Sequence, residues 1–280
     1  MNRNASLVMV LVAVCGVSAF AVEFLGTPTT ELNKGQWSIG GEYTYSTQDL
    51  DDTKDKGAGT VFDAGGDVAD TYSWSAKMKI HDFNVNRYYA VLSYGLTEDW
   101  QVSVKLGLTD VKAKNYYEDD PEDGWDGINY DNDFSWGIAT KYTFLRQESI
   151  DWGISAQMNW VTASFDETYR EVGYSDKYTE DIDGFDVLVA VGPTVDMGGW
   201  KLYGGPFFYY LDGDADYKYT EVEDGVGSLI EKGSYDVEAA SNFGGFIGAQ
   251  FSLAENTALT TEFSGTGDGW AIGTGITFKF

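Results

Sequence analysis

The chain of 280 residues contains one cysteine, one histidine and four prolines. The cysteine, Cys15, lies in an apolar stretch near the N-terminus, so the rest of the chain can form no internal disulfide. That excludes the small secreted folds that use disulfides in place of a core, and leaves backbone hydrogen bonding to close the structure. Long apolar runs are missing too. The stretch Ala5–Val17 is about a dozen residues, short of the roughly twenty that a membrane-spanning helix needs. Mean hydropathy is −0.28, far from that of a helical membrane protein. Bases are scarce, with 18 Lys and Arg against 45 Asp and Glu. So acidic a chain repels phosphate backbones, which excludes nucleic acid as a partner and favours cations or basic surfaces.

What is present begins with Arg3, the apolar stretch and Ala19-Phe20-Ala21. This is the layout of a secretory signal peptide, residues 1–21, cut after Ala21. A lipoprotein signal is the alternative because of Cys15, but Val14 precedes it where such signals place a small residue. Removing residues 1–21 takes away Arg3, leaving 17 bases against 45 acids and a net charge of −28.

Beyond that point the chain is rich in glycine (34) and aromatics (16%) and alternates apolar with small or polar residues. Ten such segments are predicted as strands: residues 36–48, within 83–96, 101–111, 134–144, 152–165, 185–194, 200–211, 242–253, 258–264 and 270–280. Each is near the length of a tilted membrane strand. The last is the most regular, with Trp270, Ile272, Ile276, Phe278 and Phe280 on one face and Ala271, Gly273, Gly275, Thr277 and Lys279 on the other. Pro206 predicts a bulge or irregularity in the seventh. Connectors alternate long and short: about thirty residues after the first strand, a tight turn at Thr97-Glu98-Asp99, about twenty after the third, and so on to the last hairpin. Trp100, Trp152 and Trp200 each follow a short turn, which sets indoles at one membrane–water boundary.

A final alternating strand ending in Phe280 resembles the C-terminal signature of bacterial outer-membrane β-barrels. The chain as a whole resembles that broad family, which includes small porin-like proteins, opacity-type surface antigens and OmpA-type membrane barrels. The resemblance implies an all-β fold: a closed antiparallel up-and-down transmembrane β-barrel of about ten strands, within a range of eight to twelve. It implies residence in the outer membrane, contact with its lipid, and an address for the barrel assembly machinery in Trp270, Ile276, Phe278 and Phe280. Residues 22–35 then read as a periplasmic N-terminal segment and 36–280 as the barrel, with short periplasmic turns and long acidic extracellular loops.

Inward positions carry small residues and charges of both signs: Glu42, Arg87, Lys105, Lys141, Asp186, Lys201 and Glu262. Either they form a salt-bridged structural lumen or they line a narrow pore. Arg87 would turn toward lipid if its strand slipped by one residue. In the loops, Asp119, Asp120 and Asp123, and then Asp212, Asp214 and Asp216, alternate beside glycine in a way that suits Ca²⁺ coordination, although no full calcium loop is present. A hydrated acidic surface is the plainer reading. No other cofactor is expected, and nothing sets an oligomeric state. The omptin proteases, also ten-stranded barrels, use a carboxylate dyad and an Asp–His pair. Here His81 precedes Asp82, but no convincing match to that pattern exists, so no enzyme is expected and His81 reads as an ordinary rim residue. Two functions follow: a surface barrel serving envelope integrity, adhesion or cation binding through acidic loops, or a narrow porin-like channel with mild cation preference.

Overall fold

The computed structural model describes residues 23–117, 128–240 and 242–280, and every regular element among them is a strand. In chain order these are β1 (Trp37–Gln48), β2 (Thr53–Asp63), β3 (Val68–Thr97), β4 (Trp100–Tyr117), β5 (Ile128–Asn129), β6 (Asp133–Gln147) and β7 (Ile150–Glu171), followed by β8 (Tyr174–Asp196), β9 (Trp200–Glu223), β10 (Gly227–Glu238), β11 (Phe243–Ala254), β12 (Thr257–Gly265) and β13 (Gly269–Lys279).

Ten of them close an antiparallel ring in the order β1, β3, β4, β6, β7, β8, β9, β11, β12, β13 and back to β1. The closing seam runs from Ser38 opposite Lys279 to Gln48 opposite Gly269. At its lower end Trp37 and Phe280 exchange two backbone hydrogen bonds, of 3.2 and 3.0 Å. All ten strands expected from alternation are in this ring, including the weak ninth, which is β12. Period-2 patterning explains the arrangement, since each strand gives one face to the outside and one to the lumen, and closure leaves no edge unpaired. Arg87 faces inward and is buried. Outward stand Leu106, Ile138, Ile154, Ile276 and Phe278, exposed apolar side chains that form the belt a transmembrane barrel turns toward lipid. Trp100 and Trp152 are exposed at the turn end, as the girdle requires.

Two expectations are corrected. First, most of the long connectors are strands. β3 runs for 30 residues, β9 for 24 and β8 for 23, more than twice the roughly ten a tilted membrane strand needs. Above the level where β1 ends and β11 begins, β2 and β10 stand in for β11, β12, β13 and β1: β2 pairs with β3 and β10, and β10 pairs with β9. The result is a β-structured collar on the barrel. β3 changes partner from β1 to β2 at a bulge between His81 and Asn84, where Asp82 adopts φ 51°. Second, residues 23–32 do not hang in the periplasm but run inside the barrel, where Glu23, Leu25, Thr27 and Thr29 are buried. The irregularity expected at Pro206 is present, as a gap in the ladder and not as a bulge. The β8–β9 ladder is interrupted between Ala190 opposite Phe207 and Thr194 opposite Tyr203, with the same register on either side.

Candidate functional site

All seven charged residues predicted for the lumen lie inside it, and the structure joins most of them through residues 23–32. At mid-height Arg87 Nη2 sits 2.7 Å from Asp186 Oδ2, and Arg87 Nη1 lies 3.5 Å from Glu23 Oε2. Lys105 Nζ is 3.0 Å from Glu42 and 3.7 Å from Glu23, and donates a 3.0 Å hydrogen bond to Gln157. Gln157 and Asn159 in turn donate to Glu23, and Asn159 donates to Asp186 at 2.7 Å. These ions are nearly inaccessible, so each needs its partner to remain charged at low cost.

Nearer the turn end Lys141 Nζ lies 3.5 Å from Glu31, and Lys279 Nζ donates to the Glu31 carbonyl at 2.9 Å. Lys201 is close enough to act on the same carboxylate. Glu262 accepts the Leu25 backbone N–H at 2.9 Å. The space left beside this network is a cavity of about 50 Å³, lined in part by Leu25, Glu42, Lys105 and Lys141.

The collar interior is built differently. Met78, Ile80, Phe83, Val111, Ile182 and Val237 meet across it in one buried apolar cluster. Among them Glu180 is buried, accepting the Tyr178 hydroxyl at 2.7 Å and that of Tyr235. Burial raises its pKa against the hydroxyls that lower it. Asp55, also buried, accepts the Tyr217 hydroxyl at 2.8 Å and the Trp74 indole N–H at 3.1 Å.

Outside, the collar is acidic. Leaving out the buried Asp55 and Glu180, residues 49–82, 110–117, 128–133, 164–183 and 212–238 hold 25 acids against 10 bases, a difference of −15. Asp212, Asp214 and Asp216 point outward from β9. Asp214 lies directly between Asp183 of β8 and Asp236 of β10, and Asp216 lies opposite Asp181. Among the described residues no three acidic, histidine or cysteine side chains converge to hold a metal ion. Asp119, Asp120 and Asp123 fall outside the described residues. His81 is at the rim, its Nδ1 3.1 Å from Asp49.

The residues that alternation alone did not single out are Glu23 and Glu31, on a segment with no strand pattern, and the collar's Glu180 and Asp55. For the collar a signal was available. The repeat Tyr-x-acid occurs at Tyr169–Glu171, Tyr174–Asp176, Tyr178–Glu180, Tyr210–Asp212 and Tyr219–Glu221, and in each case the hydroxyl reaches the acid two residues on. Such a contact needs both side chains on one face of a strand.

No protein-family model matches the chain, and no curated protein matches it by sequence. Similar solved structures include the outer membrane protease OmpT of Escherichia coli, at 10% identity and TM-score 0.41, spanning 87% of this chain and 97% of that one. The outer membrane protein OprG of Pseudomonas aeruginosa matches at 13% identity and TM-score 0.42, over 89% and 97%. Ail, the attachment invasion locus protein of Yersinia pestis, does so at 13% and 0.25, over 88% and 99%. At these scores the likeness decides nothing about activity, and the ring of paired strands is what establishes the barrel.

Proposed function

We propose that this protein is a closed, non-enzymatic barrel of the bacterial outer membrane that works at the cell surface through its collar. The observation that carries this reading is the filled interior, occupied by residues 23–32 below and by the Met78–Ile80–Val111–Ile182 cluster above. With the interior filled by the described residues, the part that meets other molecules is the acidic, tyrosine-bearing wall outside. The partner it suits is a basic protein surface or a layer of cations gathered along the carboxylate rows without chelation. The exposed apolar belt and the Trp100–Trp152 girdle support the membrane setting, and the outward Trp270, Ile276, Phe278 and Phe280 support the terminal strand as the assembly address.

A narrow cation-preferring channel is the second reading, favoured by the polar lower lumen and its residual cavity. The test is conductance of the refolded protein in a planar bilayer. A silent barrel, with heat-modifiable gel mobility confirming closure, is the expected result. Steady conductance that shifts when Glu42 or Lys105 is neutralised would overturn the surface reading in favour of the channel.

A further inference from the structure

Below the collar, the inward faces of the ring strands carry six bases, Arg87, Lys105, Lys141, Arg146, Lys201 and Lys279. They carry five acids, Glu42, Asp151, Asp186, Asp196 and Glu262, of which Asp151 and Asp196 lie at the turn end. Six bases against five acids leave the wall with an excess of one positive charge in a space where unpaired ions are expensive. Residues 23–32 contain two acids, Glu23 and Glu31, and no base, so their charge is opposite in sign to the wall's excess and reaches its buried bases. Glu23 reaches Arg87 and Lys105, and Glu31 reaches Lys141, while Lys279 donates to the Glu31 backbone carbonyl.

The wall also holds the segment as a binding site holds a peptide. Residues 23–32 belong to no strand. Their backbone is anchored by wall side chains: Leu25 N–H by Glu262 at 2.9 Å, Thr30 N–H by Thr143 at 2.9 Å, and Glu31 N–H by Gln101 at 3.1 Å. Thr29 donates to Thr194 at 2.8 Å. The wall is recessed where the segment passes. A Cβ at Gly273 would come within 2.6 Å of the Phe24 ring, and one at Gly153 within 2.4 Å of the Pro28 carbonyl oxygen.

We infer that residues 23–32 are an internal ligand, and that the turn-side half of the lumen is a binding site for an extended peptide bearing two carboxylates eight residues apart. The segment docks after the ring has closed and can be exchanged for a free peptide of the same chemistry. The apolar cluster above makes the site a blind chamber, open only at the end where the short turns lie. Glycines, amide donors and lysines on at least five strands converge on a stretch of chain that contributes nothing to the sheet.

The test uses the full barrel with a specific protease site inserted at residues 33–35, which are exposed at the chamber mouth. The protein is folded, cut, and mixed with a fluorescent synthetic peptide of residues 22–32. Exchange of the cut segment for the peptide is expected, accelerated by high salt. Binding should weaken by more than about tenfold when both peptide glutamates are replaced by glutamine. The uncut barrel should take up no peptide. A cut segment that never exchanges, even at high salt, would overturn the proposal by making residues 23–32 an integral part of the core. Equal binding of the glutamine peptide would overturn the charge-matched site. A second variant, G273L, blocks the recess without touching any charge, and it should abolish peptide uptake by the cut barrel while heat-modifiable mobility persists. Uptake unchanged in G273L would also overturn the proposal.

Discussion

Below the level of Gln48 the barrel interior is held by ionised side chains, with Arg87, Lys105 and Lys141 facing Asp186, Glu42, Glu23 and Glu31. Above it the interior is held by Met78, Ile80, Val111 and Ile182, with the buried carboxylate of Glu180 attended by tyrosine hydroxyls. The surroundings account for the contrast. The lower interior sits inside a ring whose outer face must be apolar, so alternation pushes polar residues inward. The collar stands in water, where alternation works the other way and sends charge out and apolar side chains in. One strand such as β8 reverses its polarity along its length, with Asp186 inside the ring and Asp181 and Asp183 outside the collar. Ion pairing specifies geometry and penalises any broken partner, whereas apolar packing stabilises by area and tolerates repacking.

The largest test of that contrast is Asp186→Ala. It leaves Arg87 buried with only the more distant Glu23, and removing one partner of a buried pair costs about 3–5 kcal/mol. The urea midpoint of the refolded barrel should fall accordingly. Replacing Arg87 and Asp186 together by Met and Leu should restore most of the loss. A single variant as stable as the parent would mean that the lower interior is hydrated enough to screen the pair. In the collar, Ile80→Ala removes part of a fully buried side chain and should cost about 2–4 kcal/mol through the cavity left behind. Here the effect should be local. Protease sensitivity should rise in β2 and β10, while the heat-modifiable gel shift of the ring persists. Loss of the gel shift would show that ring and collar form one cooperative unit.

The ring was legible in the sequence because a membrane barrel imposes one rule on every strand. Lipid outside and small or polar residues inside make period 2 visible even in the short β12, and short turns mark every second connection. The collar was not legible by the same rule, because its polarity is inverted and both of its faces carry aromatic residues: Tyr178 turns toward Glu180 while Tyr169 is exposed. Segments such as 212–223 therefore looked like acidic loops, although Asp212, Asp214 and Asp216 alternate with Gly213, Ala215 and Tyr217 as a strand demands. The seven lumen charges could be named because they lie on ring strands. Their partners Glu23 and Glu31 could not, since a segment held only by side chains carries no periodicity to read.

The smallest expected effect separates the two interiors by pH. Among the described residues no lysine or arginine pairs with Glu180, and burial raises its pKa against the Tyr235 and Tyr178 hydroxyls that lower it. The folded protein therefore keeps this proton to a higher pH than the unfolded chain does. Its contribution to stability is greatest below the ordinary carboxyl value of 4.5 and declines as pH rises through the folded-state value. Glu180→Gln fixes the neutral form and removes that decline. The two proteins should have urea midpoints within about 1 kcal/mol of each other at pH 4, where the hydrogen bonds are similar. At pH 8 the glutamine variant should be the more stable. Every other carboxylate titrates in both proteins and cancels in the difference, so a gap that does not change with pH would place the Glu180 carboxyl in contact with water. An apolar, tyrosine-capped collar requires the gap to open, because only a dry interior makes an unpaired carboxylate cost more than its hydrogen bonds return.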